Sequence, residues 1–511
     1  MKKYIEIKKN SYFDSVTLMS LSESLKNTQG VEAAVISMAT DMNKELLKKA
    51  ELYSDEVEGC TENDMVIAFS CQDETEKKTI MKLIEQKLKG EREEKNDKGH
   101  MVFKTVKQAK AAQQDANMAV ISIPGDHAYR EAMTALDQGM NVMIFSDNMP
   151  VEEEKKLKET AHRKELLVMG PDCGTAIING TALCFANKVN RGNISIAGAS
   201  GTGIQEVTVL ISRYGGGIAN AIGVGGRDLS KEIGGIMMTD ALRMLQQDEN
   251  TEVIVLLSKK PDEDVRRNII KLIEEEIEKP VILCFMTETK TRTDNLQITI
   301  AENIQEAARL AVLTAGGKKA PIKEKEKTDD PVLQSSQKYI RGLYCGGTLC
   351  SEAYYYFKKM GCTVYSNVSK RKEEQLKDLF VSKEDTLLDL GDDFFTNGRP
   401  HPMMDPTLRN DRIIEECRDE HTAVVLLDFE IGYGSHQNPV GAAIDAIRQG
   451  QKNAREAGRE ICFVTYVCGT PMDEQNKEQQ ENMLKEQGCI VAGSNMEAVW
   501  TAYEIVKTHR Q

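Results

Sequence analysis

The sequence predicts an α/β protein made of several doubly wound parallel-sheet domains. Three observations predict it. Strands such as MAVISIP, NVMIFSD, EVIVLLS and PVILCF are apolar throughout, as strands covered on both faces must be. Amphipathic stretches of helical period, YREAMTALDQG and VEEEKKLKETAHRK among them, alternate with these strands. Glycine-rich turns recur where a strand gives way to a helix, most plainly in NISIAGASGTGIQEV. At 511 residues the chain exceeds a single hydrophobic core and corresponds to roughly three or four domains.

Taken in order, residues 1–60 read as the opening of an α/β unit: a strand YIEI, a helix DSVTLMSLSESLKN and a β-branched strand VEAAVISMA. MVIAFSC is a further strand, and the charged run KLKGEREEKNDKGH (87–100) a solvated loop or frayed helix end. From 116 strands and helices alternate regularly as far as ELLVMG, followed by a turn, PDCGTAIING. The pattern resumes at NISIAGASGTG and continues through ANAIGVGG, EVIVLLS and PVILCF. Residues 317–337 are polar and contain Pro321 and Pro331, which marks a linker. Beyond it lie YIRGLYCGGTLCSEAYYYFKKMG, DTLLDLGDD, TAVVLLDF and EICFVTYV. The expected domains are 1–190, 191–318 and 338–511, with 319–337 as the linker. The stretches 234–258 and 399–428 share MM, an Asp, LR, an acidic helix end and a strand opened by Thr, so the second and third domains read as two copies of one design.

Composition narrows the function. Hydrophobic residues make up 40% and charged residues 29%, ordinary for a globular chain. A formal net charge of −14 gives no positive field for a phosphodiester backbone, so nucleic acid is not an expected partner. No apolar run is long enough to cross a bilayer and MKKYIEIKKN is not a signal peptide, so a cytoplasmic location away from membranes is expected. The 12 cysteines are scattered without CxxC or Cys/His spacing, and no spacing marks a metal site.

The chemistry-bearing segments are the glycine turns. A strand that ends in glycines and opens directly into a helix presents unpaired amides and the positive end of the helix dipole, a combination that binds anions. In GASGTG the expected phosphate-binding residues are Ser200, Gly201, Thr202 and Gly203. This is neither a dinucleotide GxGxxG nor a Walker loop with its Lys, so a phosphate group fits better than a whole nucleotide. As a bare connection, the same turn would serve any doubly wound fold. GVGGRD adds Gly225, Gly226 and Arg227 as phosphate-binding candidates, GPDCG adds Asp172, and CGGT adds Gly346, Gly347 and Thr348 as further substrate-binding candidates. Such turns gather at the carboxyl ends of parallel strands, where ligands bind. The densest polar string, LGDDFFTNGRPHPMMDP, supplies the expected catalytic residues Asp392, Arg399 and His401, an anion-gripping guanidinium and a proton-exchanging imidazole among them. As a purely structural feature it would be a salt-bridged loop. KTRT (290–293) reads as an ordinary polar loop.

Residues 116 to about 258 resemble the α subunit of succinyl-CoA synthetase. ISIPG, ALDQGMNVMIFSDNMP, GPDCG, AGASGTG and GVGGRD stand where that family has corresponding turns, and the second half is similar to the carboxy-terminal domain of its β subunit. The resemblance implies a Rossmann-like amino-terminal domain and two flavodoxin-like domains. Across nearly the whole chain, YFDSVTLMSLS, GPDCGTAIING, AGASGTGIQEV, LGDDFFTNGRPHPMMDPTLR and GYG followed by NPVG resemble FdrA-type proteins. That resemblance implies a subunit of oxamate carbamoyltransferase working with two other polypeptides in allantoin breakdown. The reaction would interconvert oxalurate plus phosphate with oxamate plus carbamoyl phosphate, with no cofactor required and CoA in doubt. The alternatives are a nucleotide-dependent acyl-CoA synthetase and a non-catalytic scaffold subunit. The synthetases relay phosphate through a His in the stretch after the strand PVILCFM, and here no His occurs between Lys259 and Pro400.

Overall fold

Alternation of polar and apolar residues decides the amino-terminal fold. In β1 (Lys2–Lys8), KKYIEIK turns one face to solvent, as an antiparallel edge strand does. Together with β2 (Ala34–Met38) it flanks the wholly buried β3 (Met65–Cys71) in the order β1-β3-β2, both pairings antiparallel. The expected α/β unit at the start of the chain is thus built on a small antiparallel sheet, not on the parallel kind expected of the domains as a whole. The computed structural model describes residues 2–11, 13, 18, 21–22, 25, 30–31, 33–73, 76–85, 88, 103–286, 297–317, 333–396, 399–507 and 509–510. The expected helix 14–27 lies mostly outside these residues, although Leu18, Leu21 and Leu25 are buried in the core of the sheet. Most of the 87–100 run and of the expected linker, and all of KTRT, lie outside them too.

The chain forms two units, Met1–Lys104 with Asp392–His401 and Thr105–Gly391 with Pro402–Gln511. The second unit opens with the parallel strands β4 (Met118–Ile121), β5 (Asn141–Ile144) and β6 (Val168–Met169). TAIING, expected as part of the turn PDCGTAIING, instead opens a hairpin of β7 (Thr175–Ile178) and β8 (Thr181–Cys184). It extends a seven-stranded sheet built on β9 (Arg191–Ala199), β10 (Ile218–Gly223), β11 (Val253–Ser258), β12 (Val281–Phe285) and β13 (Ile298–Ile300), in the order β13-β12-β11-β9-β10-β7-β8. One continuous core runs from Ile121, Val142 and Val168 to Ala197, Leu256 and Leu283, so residues on both sides of the expected boundary at 190 share a hydrophobic interior.

The last sheet is parallel throughout. β14 (Tyr339–Tyr344), β15 (Val364–Ser366), β16 (Asp385–Asp389), β17 (Thr422–Glu430), β18 (Cys462–Cys468) and β19 (Ile490–Ala492) are ordered β15-β16-β14-β17-β18-β19. Its run β16-β14-β17-β18-β19 repeats β10-β9-β11-β12-β13 strand for strand, which matches the repeat read from 234–258 and 399–428. β9 in the one sheet and β14 in the other, each the first of its parallel strands, lie between neighbours reached by connections that leave in opposite directions. These switch points, β9/β11 and β14/β17, are where a doubly wound sheet opens a crevice.

The helices Gly201–Arg213 and Gly347–Lys359 start at those points and pack against each other. Buried carboxyls join the two sheets around them. Glu206 accepts from the Tyr466 hydroxyl at 2.5 Å, and Glu352 accepts from the Ile304 amide at 3.1 Å and the Asn495 side-chain amide at 2.8 Å. Burial pushes the Glu352 carboxyl up to about 7 and raises Glu206 as well. A raised carboxyl keeps its proton in the folded chain after the unfolded chain has lost it. Glu352 therefore adds stability that is fully present below about 4.5 and is lost as pH rises to about 7. Denaturant titrations from pH 5 to 8 are expected to show unfolding free energy falling by on the order of 3 kcal/mol from this group. Glu352→Gln should flatten that slope whatever it does to the absolute stability.

Candidate functional site

Four glycine turns converge at the carboxyl ends of the strands in the second unit. A methyl on Gly201 would lie 3.7 Å from the Gly174 amide, one on Gly225 2.5 Å from the Pro171 carbonyl, and one on Gly203 3.1 Å from Thr348 Cγ2. Gly225 also has a φ of +88°, which glycine alone adopts without strain. The segments 170–174, 198–203, 223–228 and 345–348 are thus neighbours, as their positions after strands led one to expect.

The helix ends meet hydroxyl to hydroxyl. Ser200 Oγ caps its own helix by accepting from the Gly203 amide at 3.0 Å, and it lies 2.5 Å from Thr348 Oγ1. The Thr348 amide in turn donates to Thr202 Oγ1 at 3.2 Å. The Gly203 amide of the expected phosphate-binding set and the Thr348 amide of the expected substrate-binding set are thus already held by protein oxygens. The Gly201 and Thr202 amides remain at the positive end of the first helix. Lys259, directly after β11, adds positive charge close enough to act on both Asp172 and Cys350. The pair KK after EVIVLLS was the available sequence signal for it.

Arg227 is partly committed elsewhere. Its Nη2 donates to the Met149 carbonyl at 2.7 Å and lies 2.8 Å from Glu154 Oε2. Asp172 sits beside Gly226 with a φ of +56°. Crowding by surrounding atoms pushes its carboxyl up to about 6 against the pull of Lys259 and Arg227, although the side chain keeps access to solvent. The expected catalytic residues Asp392, Arg399 and His401 belong to the first unit, not to the unit that carries the glycine turns. There Arg399 donates to Asn43 Oδ1 at 3.2 Å and to the Met42 carbonyl at 3.0 Å, which ties its loop to the helix Asp41–Lys49.

A second group of polar residues lies at the β14/β17 switch point. Asp428 Oδ1 and Oδ2 accept from the Cys345 and Gly346 amides at 2.7 and 2.8 Å, and the buried Arg409 guanidinium lies 3.6 Å from Asp428 Oδ1 and over the Phe429 ring. Glu430 is buried beside them. Its carboxyl is raised well above the usual range, first by burial and then by the Asp428 charge. Of this group, the sequence points to Gly346, through the CGGT turn that Cys345 opens.

These features place the chain among α/β proteins related to CoA ligases. Residues 189–287 match the family model described as CoA binding domain, residues 343–505 the one described as CoA-ligase, and residues 1–104 the one described as AllF, heavy metal-associated domain. The chain belongs to the FdrA-like family of the uncharacterized protein YahF of Escherichia coli (strain K12), to which it is 44% identical over 509 residues, 98% of each chain. It is 28% identical to the succinate–CoA ligase [ADP-forming] subunit alpha of Aquifex aeolicus (strain VF5) over 36% of this chain and 60% of that subunit. It is 26% identical to the ADP-forming sulfoacetate-CoA ligase subunit SqwL of Acholeplasma sp over 34% of this chain and 60% of that one. The match therefore spans about three-fifths of either ligase subunit.

The expected carbamoyltransferase activity is overturned by these findings, since the relatives of named activity are CoA ligases. A turn that cradles phosphate serves acyl phosphates and carbamoyl phosphate alike, so the turn could not separate the two chemistries. Against the expectation that no cofactor is required and that CoA is in doubt, the same matches are to domains described as CoA binding and CoA-ligase. No helix among the described residues is long and apolar enough to cross a membrane.

Proposed function

We propose that the chain is the acyl-transferring part of an acyl-CoA synthetase of the nucleoside-diphosphate-forming kind. A phosphoryl oxyanion is held by the Gly201 and Thr202 amides where the two helix ends meet, with Lys259 nearby. The observation that carries this reading is the junction itself: two helix N-termini, one from each sheet, joined through Ser200 and Thr348 at 2.5 Å. Two positive dipole ends on one small volume favour a multiply charged anion.

The step assigned to this chain is attack of a CoA thiolate on an acyl phosphate. The carbon–sulfur bond forms, the acyl carbon–oxygen bond breaks, and phosphate leaves with the electron pair. The amides hold the phosphate through the change in charge, and the helix ends are fixed before substrate arrives. With no His between Lys259 and Pro400, the step runs without an imidazole relay in that stretch, and nucleotide handling is assigned to partner polypeptides.

The test uses the full chain with a panel of acyl-CoA thioesters, inorganic phosphate or arsenate, and no nucleotide. Arsenate-dependent loss of thioester is expected for at least one acyl group. The reading fails if calorimetry detects no binding of CoA or any of its thioesters. It also fails if labelled ATP or GTP produces an acid-labile, base-stable phosphoenzyme on this chain.

A further inference from the structure

Glu430 is a buried carboxyl at the end of β17, among the polar groups of the second unit whose side-chain oxygens the fold leaves without a hydrogen bond. It is 2% exposed, and neither carboxylate oxygen makes a hydrogen bond. Yet it does not stand apart: one ligand atom each from Cys345, Asp428 and Glu430 lie within 4.8 Å of one another, and all three residues are buried. Among the described residues this is the one such cluster of His, Cys, Asp and Glu. The three come from adjacent strand ends, Cys345 just after β14 and Asp428 and Glu430 two apart on β17, where alternation puts both carboxylates on one face.

We propose that Cys345, Asp428 and Glu430 bind one divalent transition-metal ion. Charge is the first argument. With the ion bound and the donors deprotonated, two carboxylates and a thiolate carry three negative charges, Arg409 contributes one positive charge at 3.6 Å from Asp428, and a divalent ion leaves the loaded group neutral. Neutrality matters in such a place, because an uncompensated charge in a protein interior is costly. Donor chemistry is the second argument. One sulfur and two carboxylate oxygens suit Zn²⁺, Fe²⁺ or Co²⁺, whereas Mg²⁺ and Ca²⁺ take oxygen alone. The surroundings are the third. Both Asp428 oxygens are oriented by main-chain amides, as outer hydrogen bonds orient a metal ligand. A methyl on Gly346 would come within 2.8 Å of Glu430 Oε1, so glycine at that position keeps the space beside the carboxylate open.

The experiment takes the full chain through chelator and titrates it with Co²⁺, then displaces the cobalt with Zn²⁺. One equivalent is expected to bind with a thiolate-to-cobalt charge-transfer band. Cys345→Ser should abolish the band, and Glu430→Gln should weaken binding by roughly 100-fold, while the exposed-acid control Asp264→Asn changes neither. The proposal is overturned if the wild-type chain develops no such band, if the band survives Cys345→Ser, or if both variants bind cobalt as tightly as the wild type. Should either variant fail to fold, the wild-type spectrum and the metal content of the untreated protein decide, and absence of both overturns the site.

Discussion

Lys158→Met is expected to lower the free energy of unfolding by about 3–5 kcal/mol, the cost of removing one partner from a buried ionic group. Lys158 is fully buried. Its Nζ lies 2.9 Å from Asp228 Oδ1, 2.9 Å from Glu154 Oε1 and 2.8 Å from the Val224 carbonyl. Methionine fills much of the same volume, so the loss is electrostatic rather than a cavity. Two carboxylates are left in an apolar interior with Arg227 alone, which reaches Glu154 but is itself half exposed. Asp228 also accepts from the Met237 and Met238 amides and so caps the helix Ile236–Gln247. Equilibrium denaturation measures the loss. Adding Glu154→Gln to Lys158→Met should recover part of it, because one of the stranded charges is then gone. If the double variant is no more stable than the single one, stranded charge is not the cause.

The same cluster marks what the sequence could and could not tell. Strands apolar at every position, such as VIVLLS, announce a parallel sheet because nothing but burial on both faces tolerates them, and the turns that follow them must then share one edge. That reasoning located Ser200–Gly203, Gly225–Arg227, Asp172 and Gly346–Thr348, and the structure does bring these turns together. It does not reveal where a side chain's bonds go. Arg399 looked like an anion grip because Arg, His and Asp crowd one string, yet its guanidinium ties a loop to Met42 and Asn43, more than 350 positions earlier in the chain. Glu430 carried no signal at all: a Glu at the end of a strand reads as a solvated end, and only the register of β17 between β14 and β18 buries it. Residues 1–60 misled for another reason. β-Branched apolar runs suit parallel and antiparallel neighbours equally, and the alternation in KKYIEIK was the cue that separated them.

Gly203→Ala should reduce acyl transfer by on the order of 100-fold, the size of effect that a misplacement of about 1 Å produces at a reacting centre. A methyl there would lie 2.4 Å from Ser200 Oγ, 3.0 Å from Leu257 Cδ2 and 3.1 Å from Thr348 Cγ2, so either Ser200 turns out of its cap or the two helix ends part. The Ser200 cap and the Ser200–Thr348 contact would go together. Loss of a cap costs about 1 kcal/mol of stability, far less than the fold as a whole possesses, so the variant should remain folded while its rate collapses. Gly201→Ala provides the contrast. Its methyl meets nothing closer than 3.7 Å, so the junction stays closed and the added bulk stands in the path of an anion approaching the Gly201 and Thr202 amides. Phosphate affinity should then fall with little change in melting temperature. The geometry argued for here is wrong if Gly203→Ala retains its rate, and the anion is misplaced if Gly201→Ala binds phosphate as the parent does.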